Sequence, residues 1–221
     1  MSKILVISPH PDDETLGCSG TLFRHKAKGD TISWLIVTGI SEKAGWSNEE
    51  VKIRDSEIDT ATQKYEFSDV FNFGLPTTKL DTLPLSDLIK KISNVYEKIK
   101  PEIIYMPFAY DIHTDHQITA RALLSTFKWF RYSHIQKVLM YETPSETEFN
   151  FTELRTFHPN VFFDISKFID EKIETMKIYQ SEMGEFPFPR SEITIRSLAA
   201  CRGSQSGYEA AEAFELVYER K

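Results

Sequence analysis

The sequence predicts an α/β fold, one mostly parallel sheet with helices on both faces. Two observations carry this. Short β-rich runs alternate with longer amphipathic helical patterns, the order that parallel strands with crossover helices require. The first two runs, residues 3–8 (KILVIS) and 31–38 (TISWLIVT), are apolar at consecutive positions, as in strands buried on both sides. No repeat, low-complexity tract or linker interrupts the 221 residues, so 1–221 is expected to be a single domain.

After the first strand, residues 13–28 read as a helix. Ser47 and Glu50 are spaced as a capping box, opening a helix to about residue 65. A strand at 70–73 precedes the clearest helix, 86–100, whose Leu88, Ile89, Ile92, Val95, Tyr96 and Ile99 share one face and which Pro101 stops. A strand at 102–107 leads to a helix at 116–130 with apolar Ile118, Leu123, Phe127 and Phe130. Strands at 137–142 and 160–164, helices at 166–183 and 191–200, and a strand at 214–218 complete the pattern. Such sheets bind ligands beyond the carboxyl ends of their strands. Chemistry is therefore expected in the loops after Ile7 and after Pro107.

Composition narrows the partners. Lysine plus arginine number 26 against 33 acids, a net charge of −7, which argues against nucleic acid. Two cysteines, Cys18 and Cys201, make neither a disulfide scaffold nor a CxxC pair, so a reduced, cytoplasmic setting is expected. The longest apolar run, 103–110, is far short of a membrane span, and 4–7 is too short for a signal-peptide core.

Residues 8–14, Ser-Pro-His-Pro-Asp-Asp-Glu, place one histidine and three acids directly after a buried strand. A dinucleotide site would carry its glycine-rich fingerprint here, and none is present. Three carboxylates beside an imidazole repel unless a cation or proton chemistry relieves them. Helix capping by Asp12 and Asp13 is the plain alternative for part of that charge. His10 stands between two prolines, whose fixed φ angles aim it.

Asp111-Ile-His-Thr-Asp-His116 is a second loop of this kind. Histidines three apart at a helix start face one side, and Asp115 is placed to orient an imidazole. A polar helix cap is again the plain alternative. Together, however, the two loops hold three of the six histidines, which favours a metal site. His10, Asp13 and His116 would supply two imidazoles and a carboxylate, leaving positions for water or substrate. Non-haem iron oxygenases use the same donors. The leftover groups decide between them: Asp12 can take a proton from water, and His113 can stabilise an oxyanion or protonate a leaving amine. An oxygenase needs neither, so metal-assisted hydrolysis is expected. Arg54 shares a helix face with Ile58, Ala61 and Tyr65, so it reaches a pocket or internal acid, or else snorkels to solvent.

PHPDDE at 9–14 with DxHxDH at 111–116 resembles the PIG-L/LmbE family of zinc-dependent N-acetylglucosaminyl deacetylases. Arg54-Asp-Ser-Glu57, and Arg202-Gly203 followed by Glu212-Ala-Phe214, extend the resemblance over nearly the whole chain. It implies a Rossmann-like sheet and one catalytic Zn2+ on His10, Asp13 and His116. It further implies Asp12 as general base, His113 at the oxyanion with Asp115 supporting that imidazole, and Arg54 at the substrate. The implied reaction hydrolyses the acetamide of an N-acetylglucosamine-type sugar (free, glycosidic or nucleotide-linked) and releases acetate, with Asp12 or His113 returning a proton to the amine. The expected partner is a small amino sugar, with no nucleic acid or membrane, and homo-oligomerisation is left open.

Two departures bear on substrate. Thr114 stands where the family often has proline. Ile112 stands where the bacillithiol branch has an arginine that meets malate, and it suits a neutral aglycone or a nucleotide sugar whose phosphates are held elsewhere. Residues 202–207 still resemble that branch, so N-acetylglucosaminyl-malate deacetylase is the enzymatic alternative. A catalytically silent sugar-binding relative is the alternative of another class, although binding alone needs neither Asp12 nor His113. Among the remaining residues, Cys18 is expected as a small buried hydrophobe, His25 and His134 at the surface, His158 in a turn, 128–131 at a helix end, and Tyr208 as a candidate pocket residue.

Overall fold

In the computed structural model, which describes residues 1–151 and 155–221, strands β1 (Lys3–Ser8), β2 (Thr31–Gly39), β3 (Asp69–Pro76), β4 (Ile103–Pro107), β5 (Lys137–Tyr141), β6 (Val161–Asp164) and β7 (Ala211–Glu219) form one sheet. Their order is β3-β2-β1-β4-β5-β7-β6. β1 to β5 pair in parallel, and β7 runs antiparallel to both of its neighbours. The chain winds outward from β1 in one direction to β3 and then in the other from β4. The switch point thus lies between β1 and β4, where such sheets open a crevice at their carboxyl ends.

Helices α1 (Asp13–Ala27), α2 (Asn48–Tyr65), α5 (Ile169–Met176) and α6 (Glu192–Ser206) cover one face, and α3 (Leu85–Ile99) and α4 (Thr114–Thr126) the other. The consecutive apolar residues of β1 explain why both faces need covering. Ile4 and Val6 pack with Leu22, Ala61, Ile173 and Ile195, whereas Leu5 and Ile7 pack with Ile92, Ala120 and Leu123. Burying each such side chain is worth roughly 1.5–3 kcal/mol. Among the described residues, no helix is long and apolar enough to cross a membrane.

The helix that carries Asp13 is held unusually close to the sheet. A Cβ on Gly17 would overlap the Tyr141 ring, and one on Gly20 would lie 2.6 Å from Ile165. α1 is also broken at Cys18, whose φ is −147°. Glu212 repairs the break, accepting the Gly20 and Thr21 amides at 3.0 and 2.7 Å while Lys172 Nζ donates to it at 2.7 Å. A carboxylate buried on a lysine and two amides is satisfied on both oxygens.

Several boundaries differ from the expected ones. The helix expected over 166–183 is only Ile169–Met176, followed by a 3-10 turn at Gln180–Glu182. There the Tyr179 hydroxyl donates to the buried Glu14 at 2.8 Å, and this tertiary bond overrides the helical pattern. α4 ends at Thr126 rather than at 130, because Phe127 leaves the helix to pack on Tyr218. Conversely, α6 runs past 200 to Ser206, where Gly207 in the left-handed region ends it. His25 is buried rather than at the surface, between Asp30 and Tyr105. His134 is half-buried, and Tyr208 does not line the cavity over His10 and Asp12.

Candidate active site

The loop after β1 is tied down before it reaches its charged residues. Thr38 on β2 donates to the Pro9 carbonyl twice, through its amide at 2.9 Å and its hydroxyl at 2.8 Å. Arg54 Nη1 donates to the Pro11 carbonyl at 3.0 Å. Asp12 then adopts φ 136°, a strained conformation for a residue with a Cβ, and α1 begins. Its amide donates to Glu14 at 3.1 Å, and its carbonyl accepts from Thr15 and Leu16. The capping alternative does not occur: the Asp12 side chain makes no cap bond, and Asp13 accepts the His10 amide at 2.7 Å.

The loop after β4 delivers the second set. His113 is the N-cap of α4, its Nδ1 accepting from the Asp115 amide at 3.0 Å. His116, one turn in, is fully buried. Its Nδ1 bonds Asp111 at 2.8 Å, and Asp111 is held in turn by the Thr147 hydroxyl at 2.6 Å. With its proton on Nδ1, His116 presents a bare lone pair at Nε2, which is buried with no hydrogen-bond partner. Asp13 Oδ1 lies 3.3 Å from it. Two acceptors facing each other in a buried site need a proton or a cation between them.

His10, Asp13 and His116 are brought together with ligand atoms within 4.8 Å of one another, as are His10, His113 and Asp115. The second group is the poorer cation cradle. Asp115 already accepts from Thr78 at 2.6 Å, from Leu80 at 3.2 Å and from His10 Nε2 at 3.1 Å. The Asp115 carboxylate therefore braces His10, and only its backbone reaches His113, which differs from the expected support of the His113 ring. In the first group the orphaned His116 nitrogen fits a metal, and Asp111 behind it supplies the usual carboxylate–imidazole backing.

Electrostatics separate these groups. Burial and the adjacent Asp13 charge push Asp12 well above the usual carboxylate range. Burial would raise Asp13 as well, but the neighbouring His116 and His10 charges, with the His10 hydrogen bond, hold it far down. For His10, burial is outweighed by the bonds to Asp115 and Asp13, which raise it to about 9. His113 is lowered to about 4 by burial and by the neighbouring His10 and His116.

A cavity of about 210 Å³ opens over His10, Asp12, Asp13 and His113. Arg54 lines it as well, donating to Glu182 at 2.5 Å and pairing with Glu57 at 3.3 Å. The structure adds lining residues that the sequence reading missed, namely Trp46, Glu146, Glu182 and Arg190. Arg190 closes a long loop and bears a findable signal, a cation directly after the proline-braced Phe186-Pro-Phe-Pro189. Glu182 has none, because it lies in a stretch expected to be plain helix.

The sequence profile of the PIG-L family, GlcNAc-PI de-N-acetylase, matches residues 5–127. Diacetylchitobiose deacetylase of Thermococcus kodakarensis is 27% identical over 98% of this chain and 84% of its own. Among solved structures, N,N'-diacetylchitobiose deacetylase of Pyrococcus horikoshii superposes with a TM-score of 0.78 at 20% identity, over 98% of this chain and 84% of that one. The 4-carboxy-2-hydroxymuconate hydratase GalB of Pseudomonas putida does so with 0.73 at 18%, over 100% and 98%. Structural likeness at this identity speaks for the fold alone, since a fold hosts more than one chemistry.

Proposed function

The chain belongs to the PIG-L family, and from that membership we propose that it is a zinc-dependent N-deacetylase that hydrolyses the acetamide of an N-acetylglucosamine-type amino sugar. The observation that carries this reading is the buried facing pair of His116 Nε2 and Asp13 Oδ1, 3.3 Å apart beside His10. His10, Asp13 and His116 would hold the cation, and their imidazole and carboxylate donors suit Zn2+. When bound, the ion polarises the amide carbonyl and acidifies water.

The remaining steps belong to the protein's own groups. Asp12 takes the proton of the attacking water, its strained backbone having freed the carboxylate from capping α1. His113 accepts the Asp115 amide at Nδ1, so the neutral ring carries its proton on Nε2. That N–H hydrogen-bonds to the carbonyl oxygen as negative charge develops there, and the ring keeps its proton. Double protonation of His113 would cost the bond that its Nδ1 accepts from the Asp115 amide. The proton that frees the amine is therefore returned by Asp12. Arg54 steadies the loop through Pro11 and shapes the cavity wall. The similarity to diacetylchitobiose deacetylase supports an amino sugar as the substrate. With Cys18 and Cys201 both free, the reading takes a reduced, cytoplasmic setting.

Acetate release from N-acetylated amino sugars is expected from Zn2+-loaded protein and lost on chelation. Asp12→Asn is expected to keep its metal, measured by mass spectrometry, and to lose about 10²–10⁴ in kcat. Full activity after complete chelation, or an Asp12→Asn enzyme with wild-type kcat, would sink the reading. Sugar binding without acetate release would favour the silent relative.

A further inference from the structure

Glu14 is the most deeply buried acid of the first loop, and the steps of the reaction make no use of it. Among the described residues its carboxylate accepts four hydrogen bonds. Oε1 takes the Thr15 hydroxyl at 2.6 Å and the Tyr179 hydroxyl at 2.8 Å. Oε2 takes the Asp12 amide at 3.1 Å and the Ser8 hydroxyl at 3.3 Å. Ser8 is fixed in turn by Trp34 Nε1, which donates to it at 2.9 Å. Strands β1 and β2, helix α1 and the turn after α5 thus converge on one carboxylate.

The four donors are not alike. A hydroxyl turns to donate or to accept, so three of them can be satisfied around a neutral amide as well. The Asp12 amide can only donate, and it does so from a backbone at φ 136°. That angle is set by the Pro11–Asp12 peptide, which is gripped at both ends. Arg54 Nη1 donates to its carbonyl at 3.0 Å, and Glu14 accepts its N–H. Because the peptide is planar, turning it over is a single motion that reverses both groups and carries Asp12 out of the strained region. In ordinary N-cap geometry the Asp12 side chain would then bond the free amides of α1. Here it makes no such bond and lines the cavity instead. The two orientations of one peptide therefore give the carboxylate two different tasks. Glu14 and Arg54 hold the one that faces the substrate.

We propose that Glu14 is a positioning residue for the reaction. By accepting the Asp12 amide it holds the Pro11–Asp12 peptide in the orientation that keeps the Asp12 carboxylate off the helix end and in the cavity. This rests on the deacetylase reading with Asp12 as the base, and adds a group that never touches the substrate. Glu14 itself is fully buried and does not line the cavity.

The test pairs Glu14→Gln, which keeps one carbonyl oxygen for the Asp12 amide, with Glu14→Met, which has similar length and no such acceptor. Both are made with and without Asp12→Asn, and kcat and KM are measured on Zn2+-loaded protein by acetate release from N,N'-diacetylchitobiose. Glu14→Met is expected to lose about 10²-fold in kcat with KM and metal content kept, the effect of misplacing a reacting group by about 1 Å. Glu14→Gln is expected to recover most of that loss. In the Asp12→Asn background Glu14→Met is expected to cost nothing further, because the group it positions is gone. Tyr179→Phe removes a donor from Oε1 alone, so it is expected to lower the melting temperature and leave kcat unchanged.

Wild-type kcat in Glu14→Met, equal losses in both backgrounds, or a Glu14→Gln as slow as Glu14→Met overturns the proposal and leaves the deacetylase reading standing. Should Glu14→Met not fold, hydrogen exchange decides. The Asp12 amide is expected to be protected in the wild type and in Glu14→Gln, and rapid exchange in the wild type overturns the proposal. No acetate from the Zn2+-loaded wild type with any N-acetylated amino sugar removes both readings, a result seen without any variant.

Discussion

Two buried histidines, at opposite ends of the sheet, use the same first partner and differ at the second. His25 Nδ1 bonds Asp30 at 2.8 Å, and its Nε2 accepts the Tyr105 hydroxyl at 2.8 Å. His116 Nδ1 bonds Asp111 at 2.8 Å, but its Nε2 faces Asp13 with no hydrogen bond. Carboxylate backing by itself therefore says little about function. The second nitrogen decides. Where a neutral hydroxyl closes it, the imidazole is a structural crosslink between α1 and β4; where it opens on a carboxylate, the imidazole is a ligand in waiting. The difference also sets charge: burial keeps His25 below its ordinary pKa, whereas at His116 Asp13 and Asp111 override burial and push it well above.

Removing each histidine tests that contrast most directly. His116→Ala is expected to lose bound metal and about 10³-fold or more in kcat/KM, since several kcal/mol of transition-state stabilisation go with the ion. Metal content and circular dichroism on the same sample separate loss of the ion from loss of the fold. A His116→Ala protein with stoichiometric Zn2+ and wild-type turnover would make the open nitrogen irrelevant. A smaller effect is expected one shell back. Asp111→Asn keeps a carbonyl for His116 but weakens its hold, lowering metal affinity by about 10–100-fold in a chelator competition. An unchanged affinity would mean that the backing carboxylate does nothing for the ligand.

The same contrast marks what could be read from the chain. The two site loops were legible because prolines flank His10 and because His113, Asp115 and His116 fall within one helical turn after a strand. His25, by contrast, sits in Arg-His-Lys-Ala-Lys and looks solvated, and nothing local reveals Tyr105, eighty residues on, or the Asp30 turn that folds back on it. Glu212 shows the middle case. Its segment carries part of the family resemblance, but its task, healing the break in α1 at Cys18, depends on a helix defect that periodicity does not display. The spacing sets Asp115 beside the histidines, yet which imidazole its carboxylate reaches follows from the Thr78 and Leu80 amides arriving from the segment after β3. Local spacing thus reports which residues a loop offers, and long-range packing reports what each one is tied to.

The smallest expected effect is the one on His25, and its pH dependence gives the contrast a sign. His25→Gln leaves Asp30 and Tyr105 without their shared partner and is expected to cost about 1–3 kcal/mol, with metal content and kcat kept. In the wild type, burial, opposed by the Asp30 bond, holds the His25 pKa below its ordinary 6.5. The folded protein therefore takes up that proton less readily than the unfolded chain does. Stability from this group is level above pH 6.5 and falls as the pH drops from 6.5 towards the lowered folded value. Asp30 is shifted down as well, by its bonds to His25 and to the Ser2 amide against its burial. Its contribution is present above the ordinary 3.8 and is lost only below that, in a separate window. Urea midpoints from pH 7.5 to 4.5 should thus decline more for wild type than for His25→Gln, so that the gap between them narrows with acid. Both proteins carry the same metal centre, so its titration cancels in that difference. Parallel curves would mean that His25 is protonated in the folded state after all, and that the Tyr105 hydroxyl does not donate to its second nitrogen.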